Sequence, residues 1–172
     1  MSVVMWTEMD QTDEDLMVEK KKILFVCTGN LCRSPMAEYL LRNKLGRDSG
    51  WDVVSAGLSA CNGMPASWPA VRVLAECGVD LERHSSRPVY RELVDSSSLI
   101  VVMTSSHLAQ LRAIYPSATE KSFLLKSFDP HGRGGDVEDP IGSSIEVYRK
   151  VRDEIETALP DLILFMKNLE SE

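Results

Sequence analysis

The run Ile23-Leu24-Phe25-Val26-Cys27-Thr28-Gly29-Asn30-Leu31-Cys32-Arg33-Ser34-Pro35 joins a strand to a helix. Ile23 to Cys27 is apolar without alternation, the pattern of a short strand buried on both faces. Thr28-Gly29-Asn30 breaks that pattern. Ser34-Pro35 then predicts a helix start, with Ser34 as N-cap and Pro35 at the first helical position. Ala37, Leu40, Leu41 and Leu45 supply the helix's apolar stripe, and Gly46 its stop.

The same alternation continues downstream. Asp52–Gly57 reads as a second strand, Leu99–Met103 as a third and Ser122–Leu125 as a fourth. Helices are expected over Ser67–Cys77, closed by Gly78, over Pro88–Val94 and near Ser106–Ile114. A final helix is expected from Ser143, where Ser143-x-x-Glu146 fits a capping box, with a stripe through Ile145, Tyr148, Val151, Ile155 and Leu159. Pro160 should kink or divide it. Strands alternating with helices predict an α/β domain whose parallel sheet is covered on both faces. In such sheets ligands bind beyond the carboxyl ends of the strands, and the segment Cys27–Ser34 lies at such an end.

The chain has 172 residues, enough for one domain that needs no disulfide or structural metal. Nineteen basic and 26 acidic residues leave a formal charge of −7, which argues against a general partner among nucleic acids or anionic membranes. No apolar run reaches the roughly 18–20 residues of a membrane span. The first nineteen residues carry Glu8, Asp10, Asp13, Glu14, Asp15 and Glu19 with no basic residue among positions 8–19, and read as an acidic N-terminal extension to a domain over 20–172. They lack the basic and apolar regions of a secretory signal. Four cysteines in a chain this long point to a reduced, cytoplasmic setting, and the three histidines show no metal-ligand spacing with them.

The segment after the first strand carries the chemistry. A helix start offers unpaired backbone N–H groups and the positive end of the dipole. A tight turn with Gly29 and Asn30 lets the amides of Thr28 through Ser34 converge on one anion. Arg33 adds a planar fork for two phosphate oxygens. Cys27 would lie at the floor, where the positive field favours thiolate, the form that attacks phosphorus in line. The bare spacing Cys-x5-Arg is weak, since Cys77 and Arg83 repeat it. That second copy follows a helix, not a strand, and carries Asp80 and Glu82, which repel phosphate.

The longer string Val26-Cys27-Thr28-Gly29-Asn30-Leu31-Cys32-Arg33-Ser34-Pro35-Met36-Ala37-Glu38 closely resembles the signature of the low-molecular-weight protein tyrosine phosphatases, with similarity from about Lys20 to Leu169. The resemblance implies a single three-layer domain, a four-stranded parallel sheet flanked by helices on both faces, of the flavodoxin-like phosphotyrosine phosphatase I type, using no cofactor and no metal. It implies that Cys27 is the nucleophile that becomes phosphocysteine and Arg33 the phosphate clamp. Asn30 would hold the loop in a strained shape, and Ser34 would donate to the sulfur. His84 resembles a histidine bonded into the Asn30 network. A general acid and base is needed, and two Asp-Pro pairs offer it. The family's acid precedes the final helix, which matches Asp139 and not Asp129. Cys32 is either a small buried apolar side chain or a resolving thiol for an oxidised Cys27. The implied partners are a phosphorylated protein or peptide and inorganic phosphate as product and inhibitor.

Three other functions bear on the same loop. Bacterial members with an Asp-Pro-Ile141-Gly-like segment include protein arginine phosphatases, which carry threonine where this chain has Leu31; an apolar Leu31 resembles the tyrosine-directed members. Ile141 departs from the aromatic residue common at the rim. An arsenate reductase shares the fold but needs a relay of further cysteines, which Cys61 and Cys77, sixteen positions apart, do not supply. A non-catalytic phosphate-binding module would lack Cys27, Arg33 or the acid, and all three are present.

Overall fold

The computed structural model describes residues 20–132 and 134–171, so the acidic extension at 1–19 lies outside the described residues. Strand β1 (Lys21–Cys27) pairs in parallel with β2 (Trp51–Gly57) on one side and β3 (Leu99–Val102) on the other; β3 then pairs with β4 (Ser122–Leu124). The order is β2-β1-β3-β4. With β1 central, its side chains alternate between two cores, as a period of two demands. Ile23 and Phe25 meet α1 (Arg33–Leu45), α2 (Trp68–Ala75) and α5 (Ile145–Glu170). Leu24 and Val26 meet α3 (Arg91–Asp95) and α4 (Ser105–Ile114). The domain is therefore a three-layer α/β sandwich.

Several boundaries differ from the sequence reading. The N-cap of α1 is Cys32, without a side-chain cap bond, because the Ser34 hydroxyl is committed to the loop behind it. Helix α2 ends at Ala75, where the Cys77 and Gly78 amides close tight turns onto Leu74 and Ala75. Pro88 to Tyr90 stays extended, Gly57 bridging to Pro88, so α3 begins only at Arg91. Met103 lies just past β3, although its amide still donates to the Val26 carbonyl at 3.2 Å. Strand β4 stops at Leu124, since Leu125–Phe128 turns into a 3₁₀ helix. The final helix caps at Ser144, so the Ser143–Glu146 box does not form. Nor does Pro160 divide α5, which runs unbroken for 26 residues. Pro160 is exposed, so the interrupted bonding faces water, while Ile155, Leu159, Leu162 and Met166 remain buried on either side of it.

Candidate active site

The segment between β1 and α1 lies at the carboxyl end of the sheet, its backbone tied to its neighbours. Leu58 donates to the Cys27 carbonyl and Ser59 to that of Thr28, both at 2.9 Å, and Ser67 donates to that of Leu31 at 2.9 Å. Asn30 has φ of 57°, a left-handed conformation that costs a side chain of this kind free energy unless its surroundings hold it. Here they do. The Asn30 Nδ2 group donates to Ser34 Oγ at 2.9 Å and Ser55 Oγ at 2.8 Å, while Oδ1 accepts from the Arg87 amide at 3.0 Å. His84 Nε2 donates to the Asn30 carbonyl at 2.8 Å. Burial holds the His84 ring below the usual imidazole range, which keeps it neutral and suits it to that single donation.

The direction of this network is fixed by counting hydrogens. Both Nδ2 hydrogens of Asn30 are used, so Ser34 accepts one and has its own hydroxyl hydrogen left for Cys27 Sγ, 2.9 Å away. The Asn30 amide points at the same sulfur from 3.3 Å. Ser55 donates onward to the buried Glu38 carboxylate, whose other oxygen pairs with Arg42 at 2.7 Å. Burial pushes the Glu38 carboxyl above its usual range, against the pull of Arg42 and Ser55.

Arg33 is buried at the first position of α1. Its Nη1 donates to the Val137 carbonyl at 3.1 Å and its Nη2 pairs with Asp139 Oδ2 at 3.1 Å. The Asp139 carboxylate is half exposed, and its Oδ1 accepts from the Ile141 amide at 3.2 Å. This stretch is anchored to the sheet. Val137 donates to the Met103 carbonyl at 2.8 Å, and Asp136 accepts from the Ser105 amide at 2.7 Å. Asp129 instead caps its own turn, accepting from the His131 amide. The Cys77–Arg83 pair is exposed and builds no cradle.

Cys32 turns away into the core. Its Sγ lies 3.2 Å from Ser67 Oγ and 3.3 Å from the Tyr148 hydroxyl, and burial pushes the thiol up. Both Cys27 and Cys32 are free thiols. Leu31 is half-buried against the same core, and Gly29 is partly exposed. Thr28, which is exposed, places Oγ1 2.8 Å from His107 Nε2. Ser55, Glu38, Val137 and His107 escaped the sequence reading. The register Phe25↔Ser55, two residues before Cys27↔Gly57, is the one signal that brings Ser55 beside the loop.

A family model described as low molecular weight phosphotyrosine protein phosphatase matches residues 22–172. The chain belongs to that family. A protein-arginine-phosphatase of Geobacillus stearothermophilus is 45% identical over 82% of this chain and 93% of its own. A probable low molecular weight protein-tyrosine-phosphatase EpsP of Ralstonia solanacearum is 39% identical over 81% and 86%. Among solved structures, a YwlE arginine phosphatase variant with a phosphorylated active-site serine in place of cysteine superposes with a TM-score of 0.79 at 39% identity, covering 85% of this chain and 95% of that one. Among the described residues, no helix is long and apolar enough to cross a membrane.

Proposed function

We propose that the chain is a protein tyrosine phosphatase working through a phosphocysteine. The observation that carries this reading is Cys27 Sγ with the Ser34 hydroxyl at 2.9 Å and the Asn30 amide at 3.3 Å, next to a helix N-terminus whose first residue, Arg33, pairs with Asp139. Two donors aimed at sulfur stabilise the thiolate both as nucleophile and as leaving group.

In the first step the Cys27 thiolate attacks phosphorus in line and forms an S–P bond as the P–O bond to the substrate breaks. Asp139, as the acid, gives its proton to the departing oxygen. Arg33 and the loop amides meet the charge on the equatorial oxygens. In the second step the Asp139 carboxylate takes a proton from water, the water oxygen bonds to phosphorus, and the S–P bond breaks to release phosphate and the thiolate. Neither step needs a metal or a cofactor.

The phosphotyrosine preference rests on Leu31, an apolar side chain without a hydroxyl, and on the exposed Trp68 and Ile141, which offer apolar surface for an aromatic ring. The relative at 45% identity that is named a protein-arginine-phosphatase supports a second reading, phosphoarginine, on the same machinery. The four unpaired cysteines fit action on phosphorylated proteins in a reducing, cytoplasmic setting. Peptides carrying phosphotyrosine, phosphoarginine or phosphoserine separate these readings. The parent is expected to favour phosphotyrosine by tenfold or more in kcat/KM, a difference of about 1.4 kcal/mol, and Leu31→Thr to move the ratio toward phosphoarginine. A parent that prefers phosphoarginine establishes the second reading.

A further inference from the structure

His107 takes no part in the steps above, yet the residue is only 6% exposed and its ring reaches the residue directly after the proposed nucleophile. It stands one turn into α4, where its amide donates to Thr104 Oγ1 at 3.1 Å. Nε2 lies 2.8 Å from Thr28 Oγ1; Nδ1 is sealed from solvent and, among the described residues, has no partner. A neutral imidazole carries one hydrogen. Placed on Nδ1 it would be a stranded buried donor, whereas placed on Nε2 it leaves only an unpaired acceptor, the less costly defect. The ring therefore donates through Nε2, and Thr28 Oγ1 accepts.

Charge supports the neutral form. Burial first, and then the Arg33 guanidinium, hold the ring down to about 4, while the Asp139 and Asp136 carboxylates pull weakly the other way. A second cation beside Arg33 is thus avoided near neutral pH. A hydroxyl that accepts from His107 keeps its own hydrogen to give. Thr28 is exposed at the wall of the loop, so that hydrogen is available to an incoming anion.

We propose that His107 is a positioning residue of the phosphate loop: it holds Thr28 with the hydroxyl hydrogen free for an oxygen of the bound phosphoryl group. This rests on the phosphatase reading and adds to it a side-chain donor to the anion, set by a residue 79 positions away.

The test uses the full chain, p-nitrophenyl phosphate as substrate and inorganic phosphate as inhibitor. Thr28→Val removes the hydroxyl, and His107→Phe keeps a ring without the donor. Each is expected to raise the phosphate inhibition constant and lower kcat/KM by about two- to tenfold, the worth of one hydrogen bond. The double variant should lose no more than either single one, because both remove the same interaction. His107→Gln, whose amide nitrogen can take the place of Nε2, should return the constants to within about twofold of the parent. Long-range proton–nitrogen NMR should find the His107 hydrogen on Nε2.

Losses that multiply in the double variant, a Thr28→Val variant indistinguishable from the parent, or a hydrogen on Nδ1 would each overturn the proposal. Should His107→Phe merely melt at a lower temperature with unchanged kinetic constants, the role is structural and the proposal fails. A parent without turnover overturns the phosphatase reading itself, and this proposal with it; an active parent with silent variants overturns this proposal alone.

Discussion

At the scale of single residues, the site is a set of hydrogen-bond choices forced by burial. Asn30 spends both amide hydrogens and its carbonyl oxygen, and that commits the Ser34 hydrogen to Cys27. Two neutral histidines, His84 and His107, brace the same loop from two separate downstream segments, and burial lowers both. The consequence for stability has a definite sign. In the unfolded chain an imidazole titrates near 6.5, whereas His107 in the fold titrates near 4. Between those values the unfolded chain binds the extra proton, so stability is fully present above about pH 6.5 and is lost as pH falls toward about 4. Urea unfolding midpoints of the parent should therefore drop between about pH 7 and about pH 5. His107→Gln should flatten part of that drop. An equal drop in both proteins would show that His107 is not held neutral by the fold.

Elements explain which parts of the site could be read in advance. Strand β1, the turn and α1 are contiguous, so Cys27 through Arg33 were legible from one string, and the buried run Ile23–Val26 predicted a doubly covered strand. The finer capping was not, because propensity rules see only neighbours in the chain. Ser34 has the residue type of an N-cap, but it lies inside the first turn of α1, and its hydroxyl is taken by the sulfur and Asn30. Ser55, Val137 and His107 come to the loop from three other segments, through the register of β2, the stretch before α5 and the first turn of α4. The end of β2 provides a test at this scale. A Cβ on Gly57 would meet the Thr28 carbonyl oxygen at 2.5 Å, Ala60 Cβ at 2.8 Å and the Asn30 amide nitrogen at 2.9 Å. Two of those three atoms are backbone of the loop between β1 and α1 and cannot swing away. Gly57→Ala should cost about 1–3 kcal/mol of stability by overpacking and also lower kcat/KM. Thermal melts and kinetics on one preparation check both. A variant as stable and as active as the parent would show that the loop tolerates displacement.

For the whole molecule, the sheet order β2-β1-β3-β4 gathers the pieces. The parallel strands bring Cys27, Gly57 and, just past β3, Met103 to the carboxyl end of the sheet, and Met103 then anchors Val137 and the segment bearing Asp139. The fold thus holds the Arg33 guanidinium against the Asp139 carboxylate, 106 positions along the chain, at the loop that follows Cys27. The proposed reaction requires transfer of the phosphoryl group to the Cys27 sulfur. p-Nitrophenolate leaves without protonation, so Asp139→Asn should still form the intermediate from p-nitrophenyl phosphate yet hydrolyse it slowly. Quench of that variant during turnover in alkaline denaturant, followed by peptide mass analysis, should find one phosphoryl group on the Cys27 peptide and none after Cys27→Ala. A phosphoryl group on another residue, or turnover that survives Cys27→Ala, would contradict the account.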